Sequence, residues 1–127
     1  IMHICSTVVG QLEGAHGPVD VFAATFPAGT LSGAPKPRAI ALIDEIEPTR
    51  RAFYGGAVGY FDFAGDMDMA IAIRTSLIEN GVAHVQAGAG IVADSVPANE
   101  DQETKDKAAA MIRAISLASR LRAARDG

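Results

Sequence analysis

Two hydroxyl-bearing residues, two glycines and a lysine are concentrated in one short stretch, "FPAGTLSGAPKPRAI" (residues 26–40). Thr30 and Ser32 lie among its glycines, and Lys36 follows them. Glycine lets a backbone approach a ligand closely because it carries no Cβ, and a helix start offers unpaired N–H groups to a carboxylate or phosphate. The stretch therefore predicts either a binding loop or a helix start capped by Ser32. It departs from the Walker A phosphate loop, since Pro37 rather than Ser or Thr follows Lys36.

A second group of candidates lies in two predicted strands, with Arg74 in "AIAIRTSLI" and two glycines in "QAGAG". Alternation along a strand predicts that Arg74 shares a face with Ala70 and Ala72. An arginine there is either a surface charge or a two-pronged ligand for a carboxylate. Gly88 and Gly90 indicate either a bare backbone that faces a ligand or close packing against a helix.

Acidic residues crowd the start of the last predicted helix, "NEDQETKDK". Asn99 is the predicted cap, with Gln102 as its capping-box partner. Glu100, Glu103 and Lys107 are spaced i, i+3 and i+7, which places them on one helix face. The carboxylates either stabilise the positive end of the helix or supply oxygen ligands to Mg²⁺. One helix can provide only part of such a metal site, so further carboxylates must come from elsewhere.

Hydrophobic periodicity predicts the elements that must position these side chains. Gly65 and the pair Asn80-Gly81 mark turns between strands, so three central strands form an antiparallel meander that pairs with a first strand at residues 1–9. The fold class is α+β, a mainly antiparallel sheet with helices packed on it. The remaining predicted elements are a short helix from Pro18 to near Pro27, a helix over 35–47 that Pro48 ends, strands in "YGGAVGYFDFAG", "DMAIAIRTSLI" and "VAHVQAGAGIVA", and a helix over 99–123.

Composition narrows the function classes. Of 127 residues, 49% are hydrophobic and 20% charged, which is typical of an ordered globular chain. The net charge of -4 gives no reason to expect nucleic acid as a partner, and no apolar run is long enough to predict a membrane span. Cys5 is the single cysteine, which excludes an internal disulfide and is consistent with a reducing, cytoplasmic setting. Ile1 stands within an apolar run, which predicts a chain that starts inside a larger fold.

Four stretches together resemble consecutive motifs of the chorismate-utilising enzymes: "MHICSTVVG", "FPAGTLSGAPKPRAIALIDEIEPTRRAFYGGAVGYFDF", "GDMDMAIAIRT" and "VQAGAGIVADSVPANEDQETKDKA". Within that family, "AGTLSGAPK" is most similar to the large subunit, component I, of the anthranilate synthases, whereas aminodeoxychorismate synthases tend to read "GGSITGAPK". The resemblance implies that residues 1–127 are the C-terminal portion of a chorismate-binding catalytic domain whose upstream part is absent.

The resemblance also implies a reaction. Such a lyase adds ammonia to chorismate, expels its hydroxyl group and eliminates pyruvate to leave anthranilate, a step of tryptophan biosynthesis. Mg²⁺ anchors the ring carboxylate of chorismate, and a glutamine amidotransferase subunit, component II, supplies the ammonia.

The same resemblance assigns roles to ten residues, which are expected to surround one chorismate molecule. Two lie near the reacting groups, six bind the substrate through side chains or bare backbone, and two belong to the metal site. The catalytic pair is His3 and Thr30, the substrate-binding set is Tyr54, Arg74, Gly88, Ala89, Gly90 and Lys107, and the metal ligands are Glu103 and Glu100.

Two other functions stay open from the sequence. One is a part of an aminodeoxychorismate synthase. The other is a non-catalytic module that associates with itself as a homo-oligomer, because the opposing metal carboxylates are absent and cut strands expose an edge. For the same reason, the isolated 127-residue chain is expected to be inactive.

Overall fold

A computed structural model describes residues 6–123 of the chain, so the predictions for His3 and Cys5 lie outside the described residues. It confirms the α+β class. The elements in chain order are α1 Pro18–Thr25, α2 Gly29–Ser32, α3 Lys36–Ile46, β1 Ala57–Phe61, β2 Met67–Ile71, β3 Ser76–Glu79, β4 Val82–Val85 and α4 Pro97–Ala123.

Proline sets the limits of the helices, as the sequence predicts. Pro18 occupies the first turn of α1, where its missing N–H removes no helical hydrogen bond. Asp20 accepts a hydrogen bond from the Gly17 N–H at 2.8 Å, which stabilises the start of α1. Helix α3 begins at Lys36 and ends just before Glu47 and Pro48, so the predicted boundaries are confirmed.

The first hairpin joins β1 to β2 in antiparallel register, from Ala57 opposite Ile71 to Phe61 opposite Met67. Its turn is built around Asp62, whose Oδ1 accepts hydrogen bonds from the N–H groups of Ala64 at 2.9 Å and Asp66 at 2.8 Å. Gly65, predicted as the turning residue, has φ +97°, a conformation that favours glycine.

The second hairpin joins β3 to β4 through Asn80-Gly81. Both turn residues have positive φ, 51° and 78°, as a two-residue turn that matches strand twist requires. The turn predicted from this dipeptide is therefore confirmed.

The prediction of a three-strand meander is wrong, because the stretch between Met67 and Glu79 is two strands rather than one. Arg74 has φ 52°, which lies outside the extended region and turns the chain between β2 and β3. Among the described residues the strands consequently form two separate two-stranded sheets. Arg74 thus follows β2 instead of continuing its alternation with Ala70 and Ala72.

Three further predictions of elements are also wrong. Residues 6–9 belong to no strand, so the described part of the predicted first strand pairs with nothing. The glycine-rich segment 86–90 follows β4 without regular structure, because no neighbouring strand pairs with it within the described residues. Asn99 lies inside α4 and donates its N–H to the Val96 carbonyl at 2.9 Å, while the Gln102 side chain donates to Asp106 at 2.9 Å.

Packing between the elements is sparse. Helix α1 meets the first hairpin where the Phe22 ring contacts the edge of Phe61, with centroids 6.2 Å apart. Among the described residues only Ala72 is buried, while Phe63 and Ile91 are fully or largely exposed. The accessible surface is 10665 Å², whereas a compact monomer of this mass exposes about 6,400 Å². Residues 6–123 therefore form no hydrophobic core of their own.

No helix in the described part of the chain is long and apolar enough to cross a bilayer.

The exposed apolar surface leads us to expect that the isolated 127-residue chain associates with itself. At micromolar concentration it should bind an apolar dye such as anilinonaphthalene sulfonate and should scatter light as an oligomer, because exposed patches of this kind associate. Replacing Val58 and Phe63 with threonine and serine should lower dye binding, since Phe63 is fully exposed and Val58 is 60% exposed. A monomer that binds no dye would contradict the prediction.

Candidate functional site

A cavity of ≈ 350 Å³ lies between α2, the start of β3, the end of β4 and α4. Residues from five separate parts of the sequence form its walls, so only the folded chain brings them together. They are Thr30, Leu31, Tyr54, Ile73, Arg74, Val85, Gln86, Ala87, Gly88, Ala89, Gly90, Glu103, Lys107 and Met111.

Eight of the ten residues assigned by resemblance line this cavity. The two that do not are His3, which lies outside the described residues, and Glu100, which is half-buried on α4. The eight are Thr30, Tyr54, Arg74, Gly88, Ala89, Gly90, Glu103 and Lys107.

The wall formed by "AGTLSG" folds differently from the capped helix start considered for it. Gly29–Ser32 is one short helical turn, α2, and Ser32 donates its hydroxyl back to the Ala28 carbonyl at 3.1 Å. The cap prediction for Ser32 is therefore wrong. Lys36 is not among the residues that line the cavity. Its ammonium donates a hydrogen bond to the Thr25 carbonyl at 2.9 Å and so joins α3 to the end of α1.

The opposite wall consists of the glycine-rich segment and α4. The Lys107 ammonium donates to the Gly88 carbonyl at 3.1 Å and forms an ion pair with Glu103 at 2.5 Å. The predicted shared face of Glu103 and Lys107 is thus confirmed. One lysine holds the irregular segment 86–90 against the helix.

The charges at the cavity favour an anion. Lys107 is neutralised by Glu103, whereas Arg74 has no carboxylate partner among the residues that the structure describes. Arg74 is exposed at the cavity wall and adopts a positive φ that is uncommon for a residue with a side chain. Such conformations cluster at ligand sites. A guanidinium without a partner is suited to bind a ligand carboxylate through two parallel hydrogen bonds.

A second recess of ≈ 630 Å³ adjoins the first and shares Arg74, Glu103, Lys107 and Met111 with it. Asn99, Gln102, Asp106 and Ala110 of α4 complete its lining. The charged residues of the site are therefore accessible from two sides.

The described residues do not provide a full metal site, since no group of three or more His, Cys, Asp or Glu is clustered among them. Glu100 and Glu103 have carboxylate oxygens, the ligands that Mg²⁺ prefers, but they come from one helix. The carboxylate oxygens are of the type that binds Mg²⁺, but two carboxylates from one helix are too few to complete its coordination.

Arg51, which was not among the residues singled out from the sequence, supports the side of the cavity formed by α2 and Tyr54. Arg51 pairs with Glu47 through two nitrogens, at 2.9 Å from Nε and 2.6 Å from a terminal nitrogen. The hydrogen bonds from Arg51 lower the pKa of the Glu47 carboxyl, against a smaller opposing effect of burial, and the same bonds raise the pKa of Arg51. Both groups therefore stay charged around neutral pH. The i, i+4 spacing of Glu47 and Arg51 gave no signal in the sequence, because that rule holds within a helix and both residues follow the end of α3.

The chain is similar to known proteins over most of its length. The profile of a family described as "chorismate binding enzyme" matches residues 1–113. The anthranilate synthase component 1 of Arthrobacter globiformis is 64% identical over 121 residues, which cover 95% of this chain and 23% of that protein. The Pseudomonas aeruginosa protein of the same name is 60% identical over 118 residues, with 93% and 24% covered.

A solved structure gives the same result. The crystal structure of anthranilate synthase component I from Streptococcus pneumoniae is 55% identical, with a TM-score of 0.75. The match covers 78% of this chain and 23% of that one. The chain thus spans less than a quarter of the length of this relative.

The close approach of Tyr54 to the glycine-rich segment gives a prediction. A Cβ added at Gly88 would lie 3.3 Å from the Tyr54 hydroxyl, whereas one added at Gly90 meets nothing within 4 Å. In the complete protein, Gly88→Ala should therefore lower the free energy of unfolding by about 1 kcal/mol, the low end of the cost of overpacking. Gly90→Ala should leave the free energy of unfolding unchanged.

Thermal unfolding of the ligand-free protein measures both variants. Adding Tyr54→Phe should relieve the cost of Gly88→Ala, because it removes the atom in contact. Equal stability of the two alanine variants, or no relief in the Phe background, would show that this contact is absent.

Proposed function

Because this chain belongs to the chorismate binding enzymes, we propose that residues 1–127 form the C-terminal portion of the catalytic domain of an anthranilate synthase component I. The whole protein converts chorismate and ammonia to anthranilate, pyruvate and water in tryptophan biosynthesis. A glutamine amidotransferase subunit supplies the ammonia. The observation that carries the proposal is the cavity, which gathers eight of the residues assigned by resemblance. One of the eight is Arg74, which pairs with no carboxylate in the part of the chain that the structure describes.

Chorismate is a dicarboxylate, and the cavity offers it the Arg74 guanidinium, which pairs with no carboxylate of residues 6–123. In this proposal Arg74 binds the enolpyruvyl carboxylate with its guanidinium fork, and Tyr54 assists from the neighbouring wall. The segment 86–90 lets the ring lie close, since neither Gly88 nor Gly90 presents a side chain. Binding in a fixed orientation lowers the entropic barrier of the reaction.

Thr30 contacts the ring region from α2, and His3 acts near the leaving hydroxyl group, as the resemblance assigns them. Lys107 has a structural contact as well as its proposed role toward substrate, because it already holds the Gly88 carbonyl and Glu103.

Glu103 and Glu100 would hold Mg²⁺ together with carboxylates from outside this chain. When bound, the ion would anchor and polarise the ring carboxylate of chorismate. The two carboxylates of α4 can approach only one side of an octahedral ion, so the 127-residue chain alone is expected to be inactive.

Product analysis of the complete protein tests the function. With chorismate, ammonium and Mg²⁺ it should form fluorescent anthranilate, and Glu103→Ala should abolish the signal. The isolated chain should give no signal above a blank without protein. Formation of aminodeoxychorismate instead of anthranilate would contradict the proposed product, and turnover by the isolated chain would contradict its dependence on outside carboxylates.

A second experiment tests the role of Arg74. Arg74→Lys keeps the charge but removes the fork, so kcat/KM for chorismate should fall about tenfold to a hundredfold, as expected for a charge-assisted hydrogen bond. Thermal stability should stay unchanged, because Arg74 is exposed. Arg38→Lys, an exposed arginine outside the cavity, is the matched control. Equal kcat/KM values for both variants would exclude the proposed role.

A further inference from the structure

The Arg51 guanidinium joins three parts of the chain. Its Nε and one terminal nitrogen bind the Glu47 carboxylate, which follows the end of α3. Its other terminal nitrogen donates to the Leu31 carbonyl of α2 at 2.5 Å. Its central carbon lies 5.9 Å from the centre of the Tyr54 ring, within the range of a cation–π contact.

Two of these contacts reach the walls of the cavity. Leu31 and the adjacent Thr30 line it from α2, and Tyr54 lines it from the turn before β1. The Tyr54 N–H also donates to the Arg51 carbonyl at 2.9 Å, so backbone and side chain of one arginine act on the same tyrosine. Arg51 itself is not among the residues that line the cavity.

A four-residue helix such as α2 has little stability of its own, because short helices do not repay the cost of nucleation. The Ser32 hydroxyl donates to the Ala28 carbonyl at the start of the same turn, so this bond does not tie α2 to another element. The Arg51 bond to Leu31 connects the turn to a residue 20 positions away. The position of Thr30 relative to Tyr54 therefore depends on this bridge together with the packing of the Leu31 side chain beside Gly55.

We infer that Arg51 is a positioning residue for the proposed reaction, which holds Thr30 and Tyr54 at a fixed separation across the cavity while Glu47 orients its guanidinium. This role needs the planar fork of arginine, since Nε and one terminal nitrogen bind the Glu47 carboxylate while the other terminal nitrogen binds the Leu31 carbonyl. A lysine has one nitrogen, which can contact a carboxylate and a carbonyl only where both lie within reach of that single atom, as they do at Lys107. At position 51 the two targets are held by separate nitrogens of the guanidinium. The kinetic part of this inference rests on the proposed function, whereas the structural part does not.

Hydrogen exchange on the complete, ligand-free protein tests the bridge without any substrate. Arg51→Lys should increase amide hydrogen exchange in residues 29–33 and 53–56, because each segment loses its contact with the Arg51 guanidinium. The neighbouring Arg50→Lys should leave exchange unchanged, since Arg50 is exposed. Glu47→Gln should give an intermediate increase, and Glu45→Gln, also exposed, is its control. Unchanged exchange in Arg51→Lys would overturn the inference whatever reaction the protein catalyses.

Kinetics then test whether the bridge matters for catalysis. Arg51→Lys should lower kcat/KM for chorismate about tenfold to a hundredfold, the loss expected when a catalytic group is displaced by about 1 Å. In a Thr30→Ala background the same substitution should cost at least threefold less, because Arg51 acts partly through Thr30.

The double-mutant result separates positioning from general stability, which would lower activity equally in both backgrounds. An equal cost in both backgrounds, or no cost in either, would overturn the inference even though wild-type activity supported the proposed function. A wild type that makes no anthranilate would overturn the proposed function, and hydrogen exchange would still decide on the bridge.

Discussion

The ammonium of Lys107 lies between the Gly88 carbonyl oxygen, at 3.1 Å, and the Glu103 carboxylate, at 2.5 Å. It therefore ties the glycine-rich segment to α4. The segment has no strand partner within the described residues, so its position relative to the helix depends on side-chain contacts of this kind. The wall that presents bare backbone and the wall that presents a carboxylate are thereby held together by one side chain.

The opposite side of the cavity is built on the same principle. Arg51 reaches the Leu31 carbonyl of α2, as Lys107 reaches that of Gly88. In both cases a long cationic side chain, oriented by a glutamate four residues earlier, fixes a short backbone segment. Such partly exposed pairs contribute little to global stability, since water screens them. Their effect is on the local position of the residues that face the ligand.

Polar bridges matter here because apolar packing is so limited. The chain exposes 10665 Å², and Ala72 alone is buried among the described residues. The exposed Val58, Tyr60 and Phe61 of β1 are residues that folded proteins normally pack against something. The matching relatives are about four times longer than the aligned segment, as their 23% and 24% coverage indicates. The proposed catalytic domain offers a partner for these faces in the remainder of its length.

The sequence by itself determined the features that depend on neighbouring residues. Pro18, Pro48 and Asn80-Gly81 fixed helix ends and a turn, because proline and positive-φ residues restrict the backbone locally. Motif order also identified the family, and with it eight residues that the structure gathers around one cavity.

Only the tertiary structure decided the features that depend on distant contacts. The turn at Arg74 divides one apolar run into β2 and β3. The alternation of residue types continues through this turn, and the sequence did not reveal it because a hydrophobic pattern records which face a side chain occupies and not the backbone angles. The bridge from Arg51 to Leu31 spans 20 positions, and that from Lys107 to Gly88 spans 19. Periodicity predicts which residues share a face of one element, but two residues that far apart meet only when the elements between them have been placed.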